Sequence, residues 1–448
     1  MSLLRYFKLF GSSTDKVLEP TTDGRVNTTP YDSDGNEIFT ANYPAVVGFS
    51  NGTVDAFGRA RTSEPKTIFD SQLQYNTQTV FFWNQSVSGA GASVTHDEDS
   101  SSADLTVGTV SGEKVIRQTK RYIRYQPGKG QFVAMTGVIG SLKSNVRQRV
   151  GQFDDDNGLF FEQDGTNLKV IRRTKTSGSA VDNAVNQASW NIDKLDGTGK
   201  SGITLDLSKS NIVIIDYQWL GVGRVRMGFD IDGYVYYCHQ FLNANNLDDV
   251  YMTTANLPLR YEIENTGTAA SPTTLRQICA CIASEGGFEL ERGIIHSVNT
   301  GTTSVNLTTE IPILSITPKA NFGSTGIVNR ADIIPQSFGI AADNCKTLYK
   351  VIYNGTLSNT TTFVDPSTNA TFNYDVASTG ISGGEVLLSS FVPADSRETV
   401  GVEATLQDVL SLTNSISGST GDVLTIVCAP CDGSTGAVSV SMDIKEVY

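Results

Sequence analysis

Short β-type runs recur along this chain with turn dipeptides between them, and almost no stretch carries a helical period. Residues 158–163 (GLFFEQ), Asp164-Gly165 and residues 167–173 (NLKVIRR) read as a hairpin. Asp-Gly tolerates the positive φ that a two-residue type I′ turn requires. Residues 227–231, Asp232-Gly233 and residues 234–239 repeat the device, and residues 212–219 (IVIIDYQW) form a near-continuous apolar run suited to a buried central strand. Strands at this spacing predict an all-β chain built on an antiparallel β-sandwich or jelly roll.

The expected organisation has three parts. Residues 1–45 read as an extended N-terminal docking arm, because Pro20, Pro30 and Pro44 and two Asp/Gly-rich turns interrupt any ladder. Residues 46–300 carry the jelly-roll-like β-sandwich domain. Residues 301–448 carry a smaller C-terminal β-sandwich domain, with one short helix expected from Leu406, Val409, Leu410 and Leu412. The Ser/Gly/Asp-rich stretch 86–102 reads as a long loop or a flexible hairpin tip.

Charged residues make up 18% of the 448, and 34 basic against 47 acidic side chains leave a net charge of −13. An acidic surface repels phosphates, so nucleic acid is not an expected partner. No apolar run approaches the roughly 20 residues that span a bilayer, so no membrane partner is expected either. The one basic cluster, Arg117, Lys120, Arg121 and Arg124, reads as an exposed strand face that balances the acidic surface. In residues 1–10, Arg5 and Lys8 break the apolar run that a secretory signal needs. Leu3, Leu4, Phe7 and Phe10 there form the apolar side of a candidate docking segment.

Residues for chemistry are sparse. The six cysteines include C-A-C (Cys279, Cys281) and C-A-P-C (Cys428, Cys431), and buried reduced thiols are expected rather than a metal or redox centre. His96 lies in a charged loop, His239 beside Cys238, and His296 beside Ser297 without a nucleophile elbow. No metal, no cofactor and no catalytic residue is therefore assigned, and the chain reads as a non-enzyme. Carboxylate pairs from distant strands keep a depolymerase as a minor alternative. Sugar-stacking aromatics are a further alternative, with Trp83, Trp219 and Tyr236 as the glycan-contact candidates.

An ordered series of short segments carries a family resemblance. It comprises residues 57–61 (FGRAR), 69–72 (FDSQ), 121–129 (RYIRYQPGK), 147–151 (RQRVG), 158–165, 190–199 (WNIDKLDGTG), 219–226 (WLGVGRVR) and 261–265 (YEIEN). The series resembles virion structural proteins of tailed bacteriophages, including phages of marine and freshwater bacteria and of cyanobacteria. It covers residues 45–295 and weakens over the arm and the C-terminal domain. The resemblance implies a structural subunit that joins other virion proteins, through its arm, in the tail, baseplate or fibre-attachment region. Capsid decoration and contact with a host surface glycan are the alternatives. It also implies a homo-oligomer, with a trimer favoured, located in the virion after assembly in the host cytoplasm.

Overall fold

The computed structural model describes residues 64–289, 293–323, 326–359, 361–401 and 410–448. The docking candidates Leu3, Leu4, Phe7 and Phe10 and the expected arm lie outside the described residues, as does most of the expected short helix. Its last residues are not helical: Leu412 forms a β-bridge with Ile333 and is buried. Two large sheets dominate the N-terminal part. The first orders its strands Tyr234–Phe241, Val225–Ile231, Asn211–Tyr217, Gly130–Val138, Thr273–Glu285, Ser102–Val107 and Ser93–Asp97, with Lys66–Gln72 also pairing along Thr273–Glu285. The second orders Val181–Asn186, Asn167–Thr174, Gly158–Asp164, Val146–Phe153, Leu259–Asn265, Lys114–Thr119 and Trp83–Ser88.

All pairings within these sheets are antiparallel, and the two sheets form a jelly-roll-like β-sandwich. Alternation along each strand sends one set of side chains inward. Val213, Ile215 and Phe229 of the first sheet meet Val150, Phe161 and Tyr261 of the second in one core. The rings of Phe161 and Phe229 lie 4.7 Å apart across the interface. Both hairpins occur, but only the second turns on its Asp-Gly pair, with positive φ at Asp232 and Gly233; in the first, Asp164 pairs with Asn167 on the ladder and the turn residues are Gly165, at positive φ, and Thr166. Asn211–Tyr217 is a central strand, flanked by Val225–Ile231 and Gly130–Val138.

Residues 86–102 differ from expectation. They hold the end of one strand, all of Ser93–Asp97 and the start of another. The buried carboxylate of Glu113 organises this region by accepting from the Gly91 N–H at 2.6 Å. A Cβ on Gly91 would stand 2.4 Å from Glu113 Oε1, so glycine here admits a carboxylate and does not signal a loose loop. At the far end, Asp97 accepts from Ser100 Oγ at 2.7 Å and pairs with Arg276 at 3.0 Å.

A second sandwich follows. One sheet contains Ile294–Asn299, Gly436–Val447, Asp332–Asp343 and Ser396–Gly401, with Val305–Leu307 pairing along Gly436–Val447. Its partner orders Phe372–Asp375, Ile311–Pro318, Leu424–Pro430, Thr347–Tyr353 and Glu385–Val392. Phe338, Ile340 and Met442 from the first pack against Leu314, Tyr349 and Ile426 from the other.

Ser63–Tyr448 is one compact unit, and buried polar contacts cross the join between its sandwiches. Lys120 Nζ lies 3.0 Å from Asp422 Oδ1 and donates to the Tyr353 hydroxyl at 3.0 Å. Asp422 also accepts from Asn354 Nδ2 at 2.9 Å and from the Thr413 N–H and Oγ–H, both at 3.0 Å. Arg121 pairs with Asp332 at 3.3 Å, and Arg330 covers the Tyr122 ring at 4.6 Å. The basic cluster is thus not an exposed face. Lys120 reaches the second sandwich, while Arg117 lies in the first core with its guanidinium 4.9 Å above the Trp83 ring. Arg117 Nε donates to Gln277 and its Nη2 to the Thr77 carbonyl, while burial pushes its pKa down to about 9.

His239 is also structural. It is buried, with its ring edge-on to Phe241 at 4.7 Å, and Nδ1 accepts the Asn191 N–H at 3.2 Å. Burial pushes its pKa down to about 4. Protonating Nδ1 would also turn its acceptor into a second donor against that N–H.

Two predictions follow from these contacts. Lys120→Met leaves Asp422 buried beside uncharged donors and lowers unfolding free energy by about 3 kcal/mol. Denaturant titration measures the loss, and adding Asp422→Leu recovers part of it by removing the stranded charge. For His239, the unfolded ring takes its proton near pH 6.5 and the folded ring only near 4. Stability is therefore lost as pH falls from about 6.5 to 4. Unfolding midpoints across that window should fall less steeply for His239→Gln than for the unsubstituted chain.

Candidate functional site

The outward face of the Gly158–Asp164 sheet brings carboxylates together. Glu162, Arg149 and Glu262 stand side by side on three adjacent strands. Arg149 pairs with Glu162 at 2.7 Å and with Glu262 at 3.0 Å, and Arg260 reaches Asp155 at 2.6 Å. Burial raises the Glu262 pKa, but Lys114, Arg149 and Arg260 outweigh it and hold the carboxyl below its ordinary range. Phe153 and Phe160, their rings 4.3 Å apart, lie beneath the guanidinium groups. A glycosidase acid must hold its proton at neutral pH, which requires a raised pKa. The cations around Glu262 do the reverse, and the Glu162–Arg149–Glu262 set works as a structural ion lattice.

The outward face of the other large sheet has a more open polar cluster. Asp216 accepts from Arg226 Nη2 and, at 2.7 Å, from the Tyr237 hydroxyl. The Arg226 guanidinium lies 4.4 Å from the centre of the Tyr237 ring. Burial, and then the nearby Asp216 charge, raise the pKa of Glu285 on the same cluster.

The three glycan-contact candidates do not meet. Trp83 is fully enclosed, at 0% exposure, with Phe69, Tyr261 and Arg117 around its ring. Its Nε1–H donates to Ser71 Oγ at 2.9 Å, so it is a core residue and is withdrawn as a sugar contact. Trp219 is half-buried at a strand end, donating to the Met252 carbonyl at 3.2 Å and meeting Tyr125 edge-on. Its bend depends on Gly223, where a Cβ would stand 2.2 Å from the Gln218 carbonyl oxygen. Tyr236 is half-buried against the core, paired with Phe229, which in turn lies opposite Val213. Four strand positions, about 13 Å at ~3.3 Å each, separate that level from the strand end at Tyr217, beyond which Trp219 sits in the bend.

Cysteine placement divides. Cys238, Cys345 and Cys428 are buried, whereas Cys279, Cys281 and Cys431 are half-buried. Burial pushes the Cys428 thiol up to about 12 and raises Cys279 and Cys281 as well. Raised thiols are poor nucleophiles and poor ligands at neutral pH. Among the described residues, no group of three or more His, Cys, Asp or Glu side chains is placed to hold a metal ion.

His96 sits on a regular strand and contacts the Leu73 carbonyl at 2.7 Å. His296 has partners that its neighbours in the chain do not announce: Glu446, on the adjacent strand, and Ser367, 71 residues away. Only the antiparallel pairing of Ile294–Asn299 with Gly436–Val447 brings the histidine and the glutamate together.

An accessible apolar groove lies beside the join between the sandwiches. Tyr75, Val80, Phe81, Phe82, Val386 and Leu387 line a space of about 410 Å³. Phe81 anchors its floor by stacking on Tyr353 at 5.3 Å. One wall is Glu385–Val392, the last strand of its sheet. Tyr75 is 82% exposed, Val386 54% and Phe391, on the same strand, 51%.

No family model and no curated protein matches this chain. Several solved structures match at low scores. A protein of unknown function from Shewanella oneidensis is 9% identical, with 54% of this chain and 94% of that one covered at a TM-score of 0.32. A glycoside hydrolase family 16 endo-glucanase from Bacteroides ovatus is 10% identical, covering 48% and 99% at 0.32. A legume lectin-like domain from Entamoeba histolytica is 11% identical, covering 50% and 97% at 0.29. Similarity at this level carries no argument about function.

Proposed function

We propose that this chain is a structural subunit of a tailed-phage virion, assembled through its N-terminal segment in the tail, baseplate or fibre-attachment region. The observation that carries the reading is the open edge strand Glu385–Val392 with the apolar groove beside it. An exposed edge strand presents a row of hydrogen-bonding groups to another chain. Val386, Phe391 and Tyr75 add apolar surface of the kind that marks an interaction site. The resemblance of residues 45–295 to virion proteins gives the partner class: other virion proteins and further copies of this chain. The buried junction around Lys120 and Asp422 suits the same role, since a subunit packed among neighbours must present its surfaces in one fixed arrangement.

A second reading has its own observation. Half-buried Tyr237 and Arg226, held by the buried Asp216, combine an aromatic face with charged hydrogen-bonding groups, the chemistry that receives a sugar ring and its hydroxyls. In this reading the subunit contacts a host surface glycan.

The primary test uses gold-labelled antibody against this chain on intact particles. Label at the tail or baseplate is the expected result, label spread over the head makes the chain a capsid decoration protein, and bare particles with an accessible epitope sink the virion reading. The double substitution Val386→Lys with Phe391→Lys should leave the unfolding midpoint within a few degrees while abolishing incorporation. For the glycan reading, Tyr237→Ala should weaken binding on a glycan array about 10-fold, the loss of one stacking contact.

A further inference from the structure

Ser367, His296 and Glu446 come from three separate segments and form a connected set. His296 stands on the strand Ile294–Asn299, and Glu446 near the end of the neighbouring Gly436–Val447. The ring Nδ1 meets Glu446 Oε1. The other carboxylate oxygen accepts both the N–H and the hydroxyl of Thr371, and the Glu446 side chain is fully buried. With Nδ1–H committed to that carboxylate, the neutral ring presents Nε2 as an acceptor. Ser367 Oγ lies 3.3 Å from it.

We propose that Ser367, His296 and Glu446 are the nucleophile, general base and orienting carboxylate of a hydrolytic site for carboxylic esters. The arrangement meets the geometric requirements: a hydroxyl within reach of an imidazole, and an imidazole held in one tautomer by a buried carboxylate. The separation of 3.3 Å is in the range such pairs show before substrate binds. Access has the right gradient, because Glu446 is enclosed, His296 is partly exposed and Ser367 lies in a surface turn beside the exposed Thr368 and Asn369. Hydrogen-bond donors flank the nucleophile. The Asn369 N–H points to Ser367 Oγ at 3.3 Å, and Lys319, paired with Asp365, reaches the Ser367 carbonyl at 3.5 Å. These polar surroundings suit an acyl ester of a polar alcohol.

The reaction balances with water as the only co-reactant. Ser367 Oγ attacks the ester carbonyl carbon while its proton moves to His296 Nε2. The carbon–oxygen bond to the alcohol breaks, and the alcohol leaves with that proton. Water then attacks the acyl-serine, giving a proton to Nε2, and Ser367 recovers it as the carboxylic acid departs. This activity goes beyond the assembly role and does not depend on it.

The test treats the full chain with a fluorophosphonate, which phosphonylates activated serines, and maps the adduct by mass spectrometry. A label on Ser367 is expected, absent in Ser367→Ala and slowed at least about 100-fold in His296→Asn. Hydrolysis of 4-nitrophenyl acetate should fall by the same factor. Ser367 lies in a turn, so Ser367→Ala should keep the melting temperature of the unsubstituted chain. His296→Asn is read only as folded protein, checked in the same way. A folded chain with no adduct on Ser367, or ester hydrolysis unchanged in Ser367→Ala, overturns the proposal.

Discussion

The buried contact of Lys120 with Asp422 determines how the two halves of this molecule stand. An ammonium group withdrawn from water is costly unless its hydrogen bonds are replaced. Here Asp422 and the Tyr353 hydroxyl supply two partners, and Asp422 is itself held by Asn354 and Thr413. Such a set is satisfied in one geometry and fails when either sandwich rotates. An apolar join of equal area would tolerate sliding, because dispersion contacts have little direction. The groove beside Glu385–Val392 owes its shape to this constraint, since its lining residues come from both sandwiches.

Charge is used in the same way elsewhere. Arg149 and Arg260 tie Glu162, Glu262 and Asp155 into a lattice across neighbouring strands, and each guanidinium also covers an aromatic ring. Planar guanidinium suits this double task, because its edge binds carboxylates while its face lies on a ring. Pairing holds Glu262 and Asp155 in the charged form, which unsuits them to donate a proton. The pair Asp216 and Glu285 shows the contrast: Glu285 has its pKa raised, partly by a neighbour of like charge. Two patches of similar composition thus differ in chemistry through what stands next to each carboxylate.

His239 and His296 make the same point with one residue type. His239 accepts a backbone N–H and is buried among apolar groups, so its environment favours the neutral ring. His296 faces a buried carboxylate on one nitrogen and a serine hydroxyl on the other. The first arrangement fixes a ring within a core, whereas the second sets a ring nitrogen beside a serine hydroxyl near the surface.

The all-β class, the two hairpins and the buried central strand Asn211–Tyr217 were legible in the residues alone, because these rest on local φ preferences and period-two alternation, although the first hairpin turns one residue later than its Asp-Gly pair. The sequence misjudged residues 86–102, where glycine and serine serve tight turns around Glu113 instead of a loose loop. It also placed Arg117 and Lys120 on an exposed face. Charge is a guide to exposure only until a partner such as Gln277 or Asp422 arrives from elsewhere in the chain. Tertiary structure alone decided that Trp83 is enclosed, that Trp219 and Tyr236 stand apart, and that His296 meets Ser367 and Glu446. Those pairings span 71 and 150 residues. No local pattern encodes them, because strand order and register, set by the burial of whole sheet faces, bring such residues together.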